Sequence, residues 1–92
     1  MKQIESAECP LCSMAAERLE LSSGNGFSYR CAACGEGVFE VGTGALTRIQ
    51  REGPHPDLLP PMRRWLRDGR HPRIELREGK LTAYCLPASR HE

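Results

Sequence analysis

Polar and apolar side chains alternate through Arg18-Leu19-Glu20-Leu21, the two-residue period of a strand with one covered face. Phe27-Ser28-Tyr29-Arg30 alternates again, with its aromatic residues at alternate positions. Gly24-Asn25-Gly26 lies between the two runs and tolerates positive φ, so the stretch predicts a hairpin. Val38-Phe39-Glu40-Val41 predicts a third strand, broken by Gly42-Thr43-Gly44. The period then changes: over residues 45–51, Leu46 and Ile49 share one face of a short helix. Gly53-Pro54-His55-Pro56 interrupts the pattern and reads as a linker.

Beyond the linker, Pro61 suits the first turn of a helix, where its missing N–H costs nothing. Met62, Trp65 and Leu66 recur at helical spacing, and Gly69 suits a left-handed cap. Arg63, Arg67 and Arg70 fall on the other side of that helix. Arg73-Ile74-Glu75-Leu76-Arg77 and Lys80-Leu81-Thr82-Ala83-Tyr84-Cys85 alternate on either side of Glu78-Gly79, which predicts a two-residue hairpin. That turn sets the register: Leu76 opposite Leu81, Ile74 opposite Ala83, Glu75 opposite Thr82 and Arg73 opposite Tyr84. Residues 1–8 read as a polar lead-in and residues 87–92 as a fraying end. The fold class expected is α+β, with a β-rich unit and trailing helix in residues 1–52, a linker at 53–56, and a helix plus hairpin in 57–92 packed on it.

Composition changes this picture in one respect. A chain of 92 residues with 39% hydrophobic and 5% aromatic content has a thin core and needs a staple. The start Met1-Lys2-Gln3-Ile4-Glu5-Ser6 has no signal-peptide apolar run, and no stretch is apolar enough to cross a membrane. A cytoplasmic location is expected, where thiols stay reduced and paired cysteines hold metal. Five cysteines is an odd count, which fits a four-ligand site plus a spare better than a disulfide framework.

Cys9-Pro10-Leu11-Cys12 and Cys31-Ala32-Ala33-Cys34 are two C-x₂-C pairs separated by residues 13–30. Cysteines three apart in a tight turn can aim both sulfurs at one ion. A second such turn beyond a hairpin then completes a tetrahedron, with sulfur about 2.3 Å from zinc. Gly35 follows the second pair and Ser13 the first, where glycine is usual. The expectation is one structural zinc on Cys9, Cys12, Cys31 and Cys34, with iron the less favoured metal. Residues 9–41 resemble the zinc-ribbon fold group, in the pattern Tyr29-x-Cys31-x-x-Cys34-Gly35 followed by Val38-Phe39-Glu40-Val41. The pattern is similar to ribbons of small bacterial proteins. The resemblance implies a structural metal and a role in nucleic-acid contact, protein docking or domain stability, without choosing among them.

Other residues add less. Cys85 shares a hairpin face with Leu81 and Ala83 and reads as a small packed hydrophobe. His55, His71 and His91 are scattered and read as solvated loop residues. Charge is uneven: residues 1–50 carry four Lys/Arg against six Asp/Glu, and residues 51–92 carry nine against six. Arg63, Arg64, Arg67, Arg70, Arg73 and Arg77 cluster around Trp65, a composition suited to phosphate backbones. Nucleic-acid binding is therefore the leading expectation, with a protein-interaction adaptor the alternative. No nucleophile–base pair, phosphate loop or open metal position is evident, so neither catalysis nor a small-molecule substrate is expected.

Overall fold

The computed structural model describes residues 3–86; the expected fraying of 87–92, and His91, lie outside the described residues. Six strands form one sheet in chain order: β1 (Glu5–Glu8), β2 (Ala15–Glu20), β3 (Gly26–Arg30), β4 (Phe39–Gly42), β5 (Pro72–Arg77) and β6 (Lys80–Cys85). Between β4 and β5 come α1 (Thr43–Glu52), a 3₁₀ turn (Pro56–Leu58) and α2 (Leu59–Arg67). Neighbouring strands are antiparallel except β4 and β5, which run parallel across this helical crossover. The class is α+β, as the periodicity predicts.

Alternation along the strands sorts the two faces of the sheet. Phe27 lies opposite Val41 and Tyr29 opposite Phe39, Val41 pairs in turn with Ile74, and Ile74 with Ala83. The Tyr29 and Phe39 rings stack at 5.7 Å and 13°. Ala45, Leu46 and Ile49 from α1 and Met62 and Leu66 from α2 close over this face, and Phe39, Val41, Met62 and Ile74 are fully buried. Each such side chain contributes about 1.5–3 kcal/mol through burial.

The predicted hairpin register is the observed one at all four pairs. Glu78 (φ 51°) and Gly79 (φ 79°) both adopt the left-handed conformation that a two-residue turn requires. At the end of α2, Arg70 N–H donates to the Trp65 carbonyl and Gly69 N–H to that of Leu66, a Schellman cap around the left-handed Gly69.

Three features depart from the sequence reading. Residues 5–8, read as part of a polar lead-in, form strand β1. Glu5-Ser6-Ala7-Glu8 has no apolar alternation to betray it, since only Ala7 is even half-buried in this edge strand. Thr43 and Gly44 belong to α1 rather than to a break, and a Cβ at Gly44 would meet Leu76 only at ordinary contact distance. The parallel pairing of β4 with β5 has no local sequence signature. It makes one sheet of strands that lie on either side of the 53–56 linker.

The opposite face of that parallel joint carries the main buried charge. Arg73, 6% exposed, donates to Glu40 at 2.6 Å, to Glu75, and to the Asn25 carbonyl at 3.2 Å. Glu40 also meets His71 at 3.4 Å. Glu40 sits directly across from Arg73 in the parallel register, so the ion pair locks β4 to β5 where the ladder is shortest. Arg73→Gln should destabilise the fold by about 2–3 kcal/mol, because two partly exposed carboxylates lose their shared cation. The urea midpoint would report it, with metal stoichiometry unchanged.

Candidate metal centre and the arginine cluster

The strand order sets the site. The turn from β1 to β2 holds Cys9 and Cys12, and the turn from β3 to β4 holds Cys31 and Cys34. Both turns leave the same end of the sheet, because the spacer between them folds into the β2–β3 hairpin and reverses the chain once. All four sulfurs consequently lie within 4.8 Å of one another. The Sγ–Sγ separations are 3.7 Å for Cys9–Cys34 and 3.6 Å for both Cys12–Cys31 and Cys12–Cys34. A tetrahedron with sulfur about 2.3 Å from its centre has edges of about 3.8 Å, so the cluster has the dimensions of a four-thiolate metal site. Cys9, Cys31 and Cys34 are buried and Cys12 is half-buried.

The two turns have matching backbones. Ser13 N–H donates to the Cys9 carbonyl at 2.9 Å, and Gly35 N–H donates to that of Cys31 at 3.2 Å. Ser13 stands at φ 70°, a left-handed conformation that costs a side-chain-bearing residue about 1–2 kcal/mol. Leu11 N–H points at Cys9 Sγ at 3.4 Å. That contact is a backbone donation, so no residue type in the sequence announces it.

Four thiols this close cannot share the same proton affinity. The Cys9 thiol is pushed down to about 5, chiefly by the hydrogen bond from Cys34 and against the opposing effect of burial. Cys34 is pushed up, first by donating to Cys9 and then by burial. Cys31 is also raised, first by burial and then by its hydrogen bond with Cys12. A divalent cation in place of the shared protons would let all four ionise, which is the chemistry the donor set fits.

The six arginines separate into two groups. Arg63, Arg64, Arg67 and Arg70 are exposed, on α2 or just past its end, and form no ion pair among the described residues. Arg63 donates to the Ala33 carbonyl at 3.3 Å, which ties α2 to the second cysteine turn. Arg73 is the buried residue of the β4–β5 joint, and Arg77 lies over the Tyr84 ring at 4.9 Å. Neither belongs to the α2 group. Cys85 is half-buried opposite Pro72 and away from the four-sulfur cluster. His55 and His71 meet Glu52 and Glu40, respectively. Trp65 is half-buried against the core.

The buried cluster that includes Cys9, Cys31 and Cys34 also includes Met62, Leu66 and Ile74. Metal removal should therefore unfold more than residues 1–52. Chelation should shift the emission of Trp65, the one tryptophan, to longer wavelength in the same transition that removes the far-ultraviolet dichroism. Two separate transitions would contradict a shared core. Ser13→Gly should raise the stability of the metal-loaded protein by about 0.5–1 kcal/mol, as relief of the left-handed strain outweighs the added chain entropy. A lower melting temperature would contradict that account. Metal affinity should fall as pH is lowered, because each ligand must shed its proton. About four protons should leave per metal at pH 7, because the thiols of the unfolded metal-free chain keep their ordinary proton affinity; calorimetry in buffers of different ionisation enthalpy measures the number.

No protein-family model, curated protein or solved structure matches this chain.

Proposed function

We propose that the chain is a zinc-stapled nucleic-acid-binding or regulatory module, with the metal structural and the α2 arginines contacting phosphates. One observation carries this reading: Arg63, Arg64, Arg67 and Arg70 form a compact group of exposed cations, without ion pairs among the described residues, beside the metal site. Four such guanidinium groups, three on α2 and one just past its cap, repel one another, and a polyanion relieves that repulsion. Four close sulfurs close a tetrahedral coordination, which suits a structural metal, and zinc is favoured over iron by Ser13 in place of glycine after the first pair and by the low aromatic content. A reducing compartment such as the cytoplasm keeps such thiols ready for metal.

A second reading, docking to a protein, draws on the exposed side chains of Ile4 (65%) and Leu19 (36%) on the uncovered face of the sheet. Salt separates the two readings. Phosphate contacts weaken steeply as salt rises, and apolar docking does not. Metal analysis with native mass spectrometry should give one zinc per chain, and visible thiolate-to-metal absorption would mark iron instead. The zinc-loaded protein should bind nucleic acid with a steep salt dependence, and Arg63→Gln with Arg67→Gln should flatten it. Unchanged affinity and slope in that double variant would remove the phosphate role of these residues.

A further inference from the structure

We infer that the groove between the second cysteine turn and α2 is the phosphate-binding site, and that it takes the sugar–phosphate backbone of a single nucleic-acid strand. The inference rests on the nucleic-acid reading and gives it a location. Two adjoining hollows of about 400 Å³ and 420 Å³ share Glu36, Leu66 and Arg67, so they form one groove running from Ala32 to His71. Arg63 and Arg67 line its first part, and Arg67 and Arg70 its second. Arg63 and Arg67 stand one turn apart on α2, about 6 Å along one wall at about 1.5 Å per residue, and Arg70 follows beyond the Gly69 cap.

The opposite wall is backbone. Gly35 and Gly37 bring the loop close to α2: a Cβ on either would lie 3.6 Å from Leu66. The amide N–H groups of Glu36 and Gly37 have no backbone acceptor among the described residues. A floor of nearly buried Leu66 between cationic side chains and these amides suits an anion that arrives with apolar sugar edges. No phenylalanine, tyrosine or tryptophan lines the groove among the described residues, so it offers no stacking platform. Recognition there reads phosphate spacing and leaves the bases outside. The metal contributes indirectly, because Cys34 and the anchored Ala33 carbonyl fix the loop wall against Arg63.

Glu36 is the discordant residue. It is exposed and lies where the two hollows meet, so its carboxylate opposes a phosphate in the groove. That gives a test that does not depend on breaking the fold. Zinc-loaded wild type, Glu36→Gln and Arg67→Gln would be titrated with a fluorescent oligothymidylate at roughly 50 and 200 mM salt. Three phosphate contacts at a slope of about −0.7 each predict an affinity loss of about 20-fold for wild type over that range. Glu36→Gln should bind about 2–5-fold more tightly at low salt, by removal of one like charge. Arg67→Gln should bind more weakly with a slope shallower by about 0.7. In wild type the Glu36 and Gly37 amide resonances should shift on titration. Unaltered zinc content and Trp65 emission would verify that both variants fold.

Failure is readable at two levels. If wild type shows no salt-sensitive binding, the nucleic-acid reading falls and the groove assignment falls with it. If wild type binds steeply but Glu36→Gln has no effect, or the shifted amides lie elsewhere, the reading stands and the groove assignment is overturned. Competition by inorganic phosphate at concentrations equal to those of the oligonucleotide would overturn the strand as occupant in favour of a free phosphate.

Discussion

Four sulfurs held within 4.8 Å of one another constrain this fold more than any other grouping in it. In this arrangement they differ in proton affinity: the hydrogen bond from Cys34 lowers Cys9, the same hydrogen bond raises Cys34, and burial raises Cys31. A bound divalent ion turns that frustrated arrangement into the strongest single interaction available to the chain. Structural zinc in small sites contributes about 10–16 kcal/mol of apparent binding free energy. An entire small domain nets about 5–15 kcal/mol of stability. The core that surrounds the cluster is thin, and its cysteine ligands are members of the same buried group as Met62, Leu66 and Ile74. A bound metal would thus act on the whole core rather than on the cysteine turns alone.

Charge is distributed to match. On the uncovered face, Arg73 is enclosed by Glu40 and Glu75, and its charge holds β4 to β5. Arg77 covers Tyr84 on the C-terminal hairpin. On α2 and just past it, Arg63 donates to the Ala33 carbonyl of the second cysteine turn, and Arg64, Arg67 and Arg70 form no ion pair among the described residues. Their number and exposure are the physical basis of the proposed function.

Much of this architecture is legible in the amino-acid sequence, and the reason is local. The ligand quartet follows from two short spacings, and the C-terminal register from a two-residue turn, so neither needs information from distant residues. Leu46, Ile49, Met62 and Leu66 announce their faces through helical period, and all four are buried. The features that escape a sequence reading are non-local or carried by backbone. Strand β1 is stabilised by its ladder with β2 more than by burial, and ladder hydrogen bonds have no residue code. The parallel β4–β5 joint brings together residues more than thirty positions apart. Arg73 resembles its five neighbours in composition and is separated from them only by the location of Glu40 across that joint.

The order of the sheet has a consequence for how the chain comes into being. Every strand lies next to its neighbours in sequence, and all four metal ligands precede Phe39. A growing chain exposes its N-terminal part first. The complete ligand set is therefore available while α1, α2 and the last two strands have yet to be synthesised. Were a metal to bind that set first, the edge of β4 would already be ordered when β5 makes the slow, long-range parallel closure.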